Sequence, residues 1–176
     1  DATSMAQALT AVNVGSSYLS ETFWPGIYRR ASHVPAPEST PYVSLSTSLH
    51  ADETSMPSAR WLEQAMKVKT SVADTHPSLT DRLGAIGAAP GIALPAPGQA
   101  ADQLLGTSLD VITQKLDSEW SQRVADAWRM RFEEASKDRD ALAAFEARRS
   151  NGEALDLDDA FARALLLDNA ADNLPE

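Results

Sequence analysis

From Ala101 to Arg149 the chain holds one glycine, Gly106, and no proline. Within this run Leu109, Ile112, Leu116, Trp120, Val124 and Trp128 recur at spacings of three and four, the apolar ridge of a helix. Glu119 with Arg123, and Glu133 with Lys137, stand as favourable i,i+4 pairs on the wet side. A helix of that length is either a protruding hairpin arm or breaks near Ser136. "RSNGE" ends it, and Asp158 opens a last helix that closes near Asp168. No stretch of the remaining sequence alternates as a strand does. The expected fold class is all-α: helices with long loops, ending in a long helix or a helical hairpin arm.

The first half reads as shorter pieces. Met5, Leu9, Val12, Leu19 and Phe23 form one helical stripe, with Thr3 or Ser4 as cap and Pro25-Gly26 as stop. "FWPGIYRRASH" sets three aromatics beside a turn and two arginines. Such a cluster fits an interfacial membrane anchor, with Arg29 and Arg30 on lipid phosphates, or a plug of the core at a helix end. The plug is the commoner use of aromatics. Residues 32–58, rich in Pro, Ser and Thr, read as an extended loop. Ser58 then caps "ARWLEQAMKVK", where Trp61, Leu62, Ala65, Met66 and Lys69 sit at helical spacing.

At 176 residues and 43% hydrophobic composition the chain can bury a core. It has no cysteine, so disulfides, thiolate metal sites and cysteine nucleophiles are excluded within it. The net charge of −10 argues against a nucleic-acid surface, which needs a basic face. Residues 150–176 contribute seven acids and only Arg163, a solvated acidic tail. Two windows lack charge, 2–20 and 83–101. The first is too rich in Thr, Ser, Asn and Gln to span a bilayer, and the second is broken by Pro90, Pro95 and Pro97. No signal peptide is visible, and the start at Asp1 suits a processed product or a cut piece.

The stretch that raises chemistry is "DTHPSLTDRL", residues 74–83. Pro77 fits the first position of a helix, with Thr75 or His76 as cap and Asp81 in the early turns. Leu79, Leu83 and Ile86 supply its buried face, and the helix runs to about Gly87. A histidine is a poorer cap than Ser, Asp or Asn, so its presence needs another reason. The helix dipole lowers the pKa of an imidazole there and favours its neutral form, a donor suited to an oxyanion. Arg82, nearly two turns on, could hold a carboxylate bidentately.

"HPSLTDRL" resembles the His-Pro-x-Leu-x-x-Arg-Leu element of the zinc metallopeptidases that include the CAAX prenyl protease and HtpX (metallopeptidase family forty-eight, bacterial type). "YLSETFWPGIYRRA" and "WLEQAMKVKTSVADTHPSLTDRLGAIG" are similar to the same group, so the likeness covers about residues 5–88. It implies that His76 matches the family histidine assisting the transition state and Arg82 the arginine holding the zinc-site carboxylates. The family's zinc polarises the scissile carbonyl and activates water, with two histidines of a His-Glu-x-x-His motif and a later Glu as ligands. This chain has only His33, His50 and His76, and none opens that motif. His33 and His50 lack an i+4 partner and read as exposed loop residues. The motifs are therefore expected upstream of Asp1, so zinc belongs to the complete parent and no cofactor is expected in this chain. The missing N-terminal catalytic portion and a protein or peptide substrate are the implied partners, and the parent is expected at a bacterial membrane.

The domain boundaries expected are 1–88 for the C-terminal part of the metallopeptidase-like domain, 89–100 for a Pro/Gly/Ala-rich linker and 101–176 for a helical extension. "LDLDDAFARALLLDNAAD" could open a helical repeat, with Phe161, Leu165 and Leu166 inward, or close a small bundle. Two functions follow: an enzyme fragment inactive alone, or a noncatalytic all-α interaction module using the 101–149 helix as an arm. A helix cut loose from its core would expose an apolar face and invite self-association.

Overall fold

The computed structural model describes residues 1–51, 58–92 and 101–172; the side chains at 46, 49–51, 101–102 and 171–172 lie outside the description. Every element among the described residues is a helix. No helix there is long and apolar enough to cross a membrane. The chain divides into two compact units interleaved in sequence, 1–24 with 42–113 and 25–41 with 114–176.

In the first unit α1 (Ala2–Tyr18) lies against α4 (Ser58–Lys67) and α5 (Leu79–Ile86). Ala6 and Leu9 of α1 meet Leu79 and Leu83 of α5, and Leu62, Ala65, Met66 and Ile86 close around them. α4 was legible from its spacing, and Trp61 is its buried residue. The Trp61 ring meets Tyr18 edge-on at 6.4 Å, and its indole N–H donates to Glu21 at 2.9 Å. The expected α1 stripe is half wrong. Met5 is 52% and Val12 65% exposed, while Ala6, Thr10, Val14 and Tyr18 face inward with Leu9. Asp1 caps α1 through Ser4 N–H, rather than Thr3 or Ser4 acting as cap, because a carboxylate at that position can reach an orphan N–H.

Pro25-Gly26 does not stop the first helix. A π-turn, Leu19–Phe23, leads directly into α2 (Trp24–Arg29), and Trp24 N–H bonds to Leu19 C=O, five residues back. Proline cannot donate and crowds the carbonyl four residues earlier. The wider turn just ahead of it takes up that misfit. Residues 32–58 are not all loop either, since α3 (Pro41–Ala51) lies within them. Tyr42, Leu45 and Leu49 stand at helical spacing in it, a short pattern set among Ser and Thr, and Pro41 suits a first helical position. The rest of that stretch, 52–57, lies outside the described residues.

Gly87 closes α5 with φ of 62°; its N–H bonds to Gly84 C=O, and Ala88 N–H reaches Leu83 C=O. Only glycine adopts that left-handed backbone without cost, so the predicted end at Gly87 is met. The start of the expected linker is docked: Gly91 N–H donates to the buried Thr10 hydroxyl of α1 at 3.3 Å. Residues 93–100 of that linker lie outside the described residues. α6 (Ala101–Leu105) ends before Gly106, and α7 (Ser108–Ser150) then runs unbroken for 43 residues. No break occurs near Ser136, where the sequence has neither Gly nor Pro; it falls at Gly106 instead.

In the second unit α7 packs on α2, on the 3₁₀ turn Arg30–Ser32 and on the segment that follows. Trp120 and Trp128 meet edge-to-face at 6.1 Å and 85°. Trp128 N–H donates to Val34 C=O at 2.7 Å, and Trp120 N–H to the Tyr28 hydroxyl at 3.4 Å. The lower end of the expected ridge is exposed at Ile112 and Leu116, where Asp117 faces inward in their place. Glu119 pairs with Lys115, and Glu133 with Arg129, rather than with the bases four residues downstream.

α8 (Leu157–Asp172) folds back along α7 as a helical hairpin, capped by Asp156, whose carboxylate accepts Asp159 N–H at 2.8 Å. Gly152, with φ of 79°, makes the turn. Arg148 joins Glu153 at 3.1 Å and Asp159 at 2.6 Å, and Arg163 joins Glu146 at 2.5 Å. With no breaker near Asp168, α8 continues four residues past the expected end. Leu166 faces α7 as expected, but Phe161 and Leu165 are exposed, because the inward arc runs through Asp159, Ala162, Arg163 and Leu166.

Candidate functional site

The loop between α4 and α5 is built from two small polar turns. In the first, Ser71 N–H donates to the Asp74 carboxylate at 2.6 Å and Ala73 N–H to the Ser71 hydroxyl. In the second, Ser78 N–H donates to the Thr70 hydroxyl at 2.7 Å, and the Thr70 hydroxyl in turn donates to Asp81. Ser78 caps α5, accepting Asp81 N–H on its hydroxyl. Thr80 ties the same helix to α4 by donating to Met66 C=O at 2.8 Å.

This arrangement corrects the expected start of α5. Neither Thr75 nor His76 is the cap, and Pro77 precedes the helix instead of occupying its first position. Ser78 wins because serine caps better than either, and Asp81 three residues on answers its hydroxyl. Pro77 also disfavours helical backbone at the residue before it, which leaves His76 outside the helix. The dipole argument for a lowered imidazole pKa therefore loses its basis.

His76 and Arg82 are both exposed. Among the described residues no hydrogen bond or ion pair joins them or engages either side chain. They are held near one another only by chain continuity, through Ser78 and Arg82 N–H bonded to Ser78 C=O at 3.0 Å. The polar residues around them are hydrogen-bonded to one another. Hydrogen bonds from Thr70 and then Ser78 hold the Asp81 carboxyl below its ordinary value of 3.8. A carboxyl depressed in the folded state stabilises the fold above its unfolded pKa and stops doing so as pH falls through the lower folded value. A carbon-detected NMR titration should place Asp81 below 3.8, and Thr70→Val should move it back up. An unshifted Asp81 would show that the loop is not locked in this way.

The second unit holds a node that sequence reasoning missed. Ser32 is buried at the end of the 3₁₀ turn; Arg131 donates to its hydroxyl at 3.2 Å and Arg139 to its carbonyl at 2.5 Å. Arg139 also lies 5.7 Å over the Phe132 ring. Beside this node, Ala135, Leu142, Leu166 and Ala170 wall a cleft of about 200 Å³ with Asp138 and Arg139 at its edge. The steps Val124, Trp128, Arg131, Ala135, Arg139 and Leu142 continue the ridge at spacings of three and four, the signal that was available. The cleft is largely apolar, and Ser32 and His33 also line it. His33 borders it, exposed but engaged, while His50 belongs to α3 rather than a loop, with its side chain outside the description.

Phe23 and Ile27 of the aromatic cluster are buried, with Phe23 at 5.2 Å from Trp24 and Trp24 at 5.8 Å from Tyr42. This is the plug rather than the anchor. Among the described residues no three His, Asp or Glu side chains converge as a metal-binding set. Comparison with protein-family models, with curated proteins and with solved structures finds no match.

Proposed function

We propose that the chain is the part of a zinc-dependent metalloendopeptidase that follows the metal motif, inactive alone. The observation that supports this most is the presentation of His76: exposed, without a partner among the described residues, and carried by a loop fastened at Thr70, Ser78 and Asp81. Such fastening fits a side chain presented to another surface better than an idle one. The residues described here do not fit a zinc set, so the ion would be held by an upstream portion. His76 would contribute a hydrogen bond to a developing oxyanion, and Arg82 a fork for a carboxylate of that portion. A protein or peptide substrate and a membrane-associated bacterial parent belong to this reading through the resemblance over 5–88.

A noncatalytic all-α interaction module is the second reading, favoured by the α7–α8 hairpin and the apolar side chains it leaves outside. Expressing the natural reading frame upstream of Asp1 together with this chain separates the two. The first predicts stoichiometric zinc and cleavage of an unfolded protein such as casein. An upstream region without a His-Glu-x-x-His motif, and no cleavage, would remove the protease.

A further inference from the structure

α8 carries its residues in two sharply different arcs. Asp159, Ala162, Arg163 and Leu166 lie on the side of α7, half-buried. On the opposite side Leu157, Phe161 and Leu165 are 86%, 66% and 51% exposed, with Ala164 between them. At 100° per residue these four fall within one arc, a continuous apolar stripe of about two and a half turns. Asp158 and Asp168 sit at either end of the stripe, both exposed and neither engaged in an ion pair with a described residue. The single base of residues 150–176, Arg163, is on the inner side and bound to Glu146 at 2.5 Å. The stripe is thus apolar along its middle, negative at its ends and without a cation.

That combination selects among occupants. An anionic lipid surface would be repelled by the two aspartates. The same α8 stripe of a second copy would bring four aspartates together, an unfavourable pairing of like charges. A helix with its own apolar stripe and basic flanks answers both features, burying Phe161 and Leu165 while its cations meet Asp158 and Asp168. We infer that the outer face of α8 is a docking surface for a basic amphipathic helix of another protein. This stands independently of the metallopeptidase reading, since it uses nothing from residues 1–100.

The probe is a fluorescein-labelled peptide of about 18 residues, roughly five helical turns, with leucines on one face and lysines on the other. Binding to the full chain is followed by fluorescence anisotropy at low and high salt. Saturable binding is expected, weakened about tenfold in Phe161→Ser and in Leu165→Ser. Both side chains are exposed, so neither substitution disturbs packing against α7, and circular dichroism would verify the helices. Asp158→Asn with Asp168→Asn is expected to weaken binding about threefold and to flatten its salt dependence. The serine variants keep every charge. If they bind as the parent does, the association is diffuse electrostatics and the surface is not a docking site. Equal binding of a leucine–glutamate peptide would overturn the charge argument. A chain dimer by light scattering that Phe161→Ser dissolves, or phosphatidylcholine vesicle binding lost in the same variant, would assign the stripe to a second copy or to lipid and overturn the proposal.

Discussion

Trp128→Ala is expected to destabilise the second unit by about 3–5 kcal/mol, the range for emptying a buried tryptophan site. The side chain is 3% exposed, and its ring edge meets Trp120 at 6.1 Å. Its N–H is also the donor to Val34 C=O at 2.7 Å, which ties the segment after the 3₁₀ turn to α7. Truncation removes the packing and leaves that carbonyl without this donor, so both losses fall on the same contact. Urea unfolding followed by circular dichroism would read the effect. Val12→Ala is the control: at 65% exposure it should change stability by less than about 0.5 kcal/mol. Equal effects of the two would mean that the tryptophan pair is not the centre of its unit.

The second large effect concerns activity. If the chain completes a zinc endopeptidase as proposed, His76→Ala in the whole protein is expected to lower kcat about a hundredfold or more, the usual cost of one oxyanion donor. Zinc content and the unfolding temperature should stay as they were, because His76 is exposed and its side chain has no hydrogen bond or ion pair with a described residue. His33→Ala provides the contrast, since His33 lies in the second unit beside Ser32 and outside the proposed chemistry. Unchanged turnover in His76→Ala would remove it from the mechanism. Turnover lost together with zinc would move it to the metal.

Elements with regular apolar spacing are legible in the sequence. α4 displayed Trp61, Leu62, Ala65 and Met66 at helical intervals, and α7 had no breaker in 43 residues. α1 was legible as a helix but not in its rotation. Its inward face uses Ala6, Thr10 and Tyr18, which carry weak or mixed polarity, while the larger Met5 and Val12 face outward. Thr10 is buried because its hydroxyl donates to Ala6 C=O at 2.8 Å and accepts Gly91 N–H, a fact no periodicity contains. α3 was missed because Ser44, Ser46, Thr47 and Ser48 interrupt its short apolar pattern, and Ser and Thr are common in loops.

At the candidate site the motif singled out His76 and Arg82, but the expected cap, Thr75 or His76, falls three or two residues before the actual one, Ser78. Pro77 suggested a helix start that Ser78 and Asp81 took instead. For the Ser32 node the ridge spacing puts Arg131 and Arg139 on one face of α7, but their partner lies 99 and 107 residues away in sequence, which no local pattern links to them.

The second unit, which includes the α7–α8 hairpin, is fastened in two different ways. Near its turn the fasteners are Arg148 with Glu153 and Asp159, and Arg163 with Glu146, groups still partly open to water. Arg163 in turn holds the Glu146 carboxyl below its usual range. Contacts of that kind weaken as ions gather around them, whereas a buried ring pair such as Trp120 and Trp128 does not. Thermal fluctuation should therefore lift α8 from α7 like a clasp, with the surrounding electrolyte setting how often it opens, while the tryptophans keep residues 28–34 seated on α7 throughout.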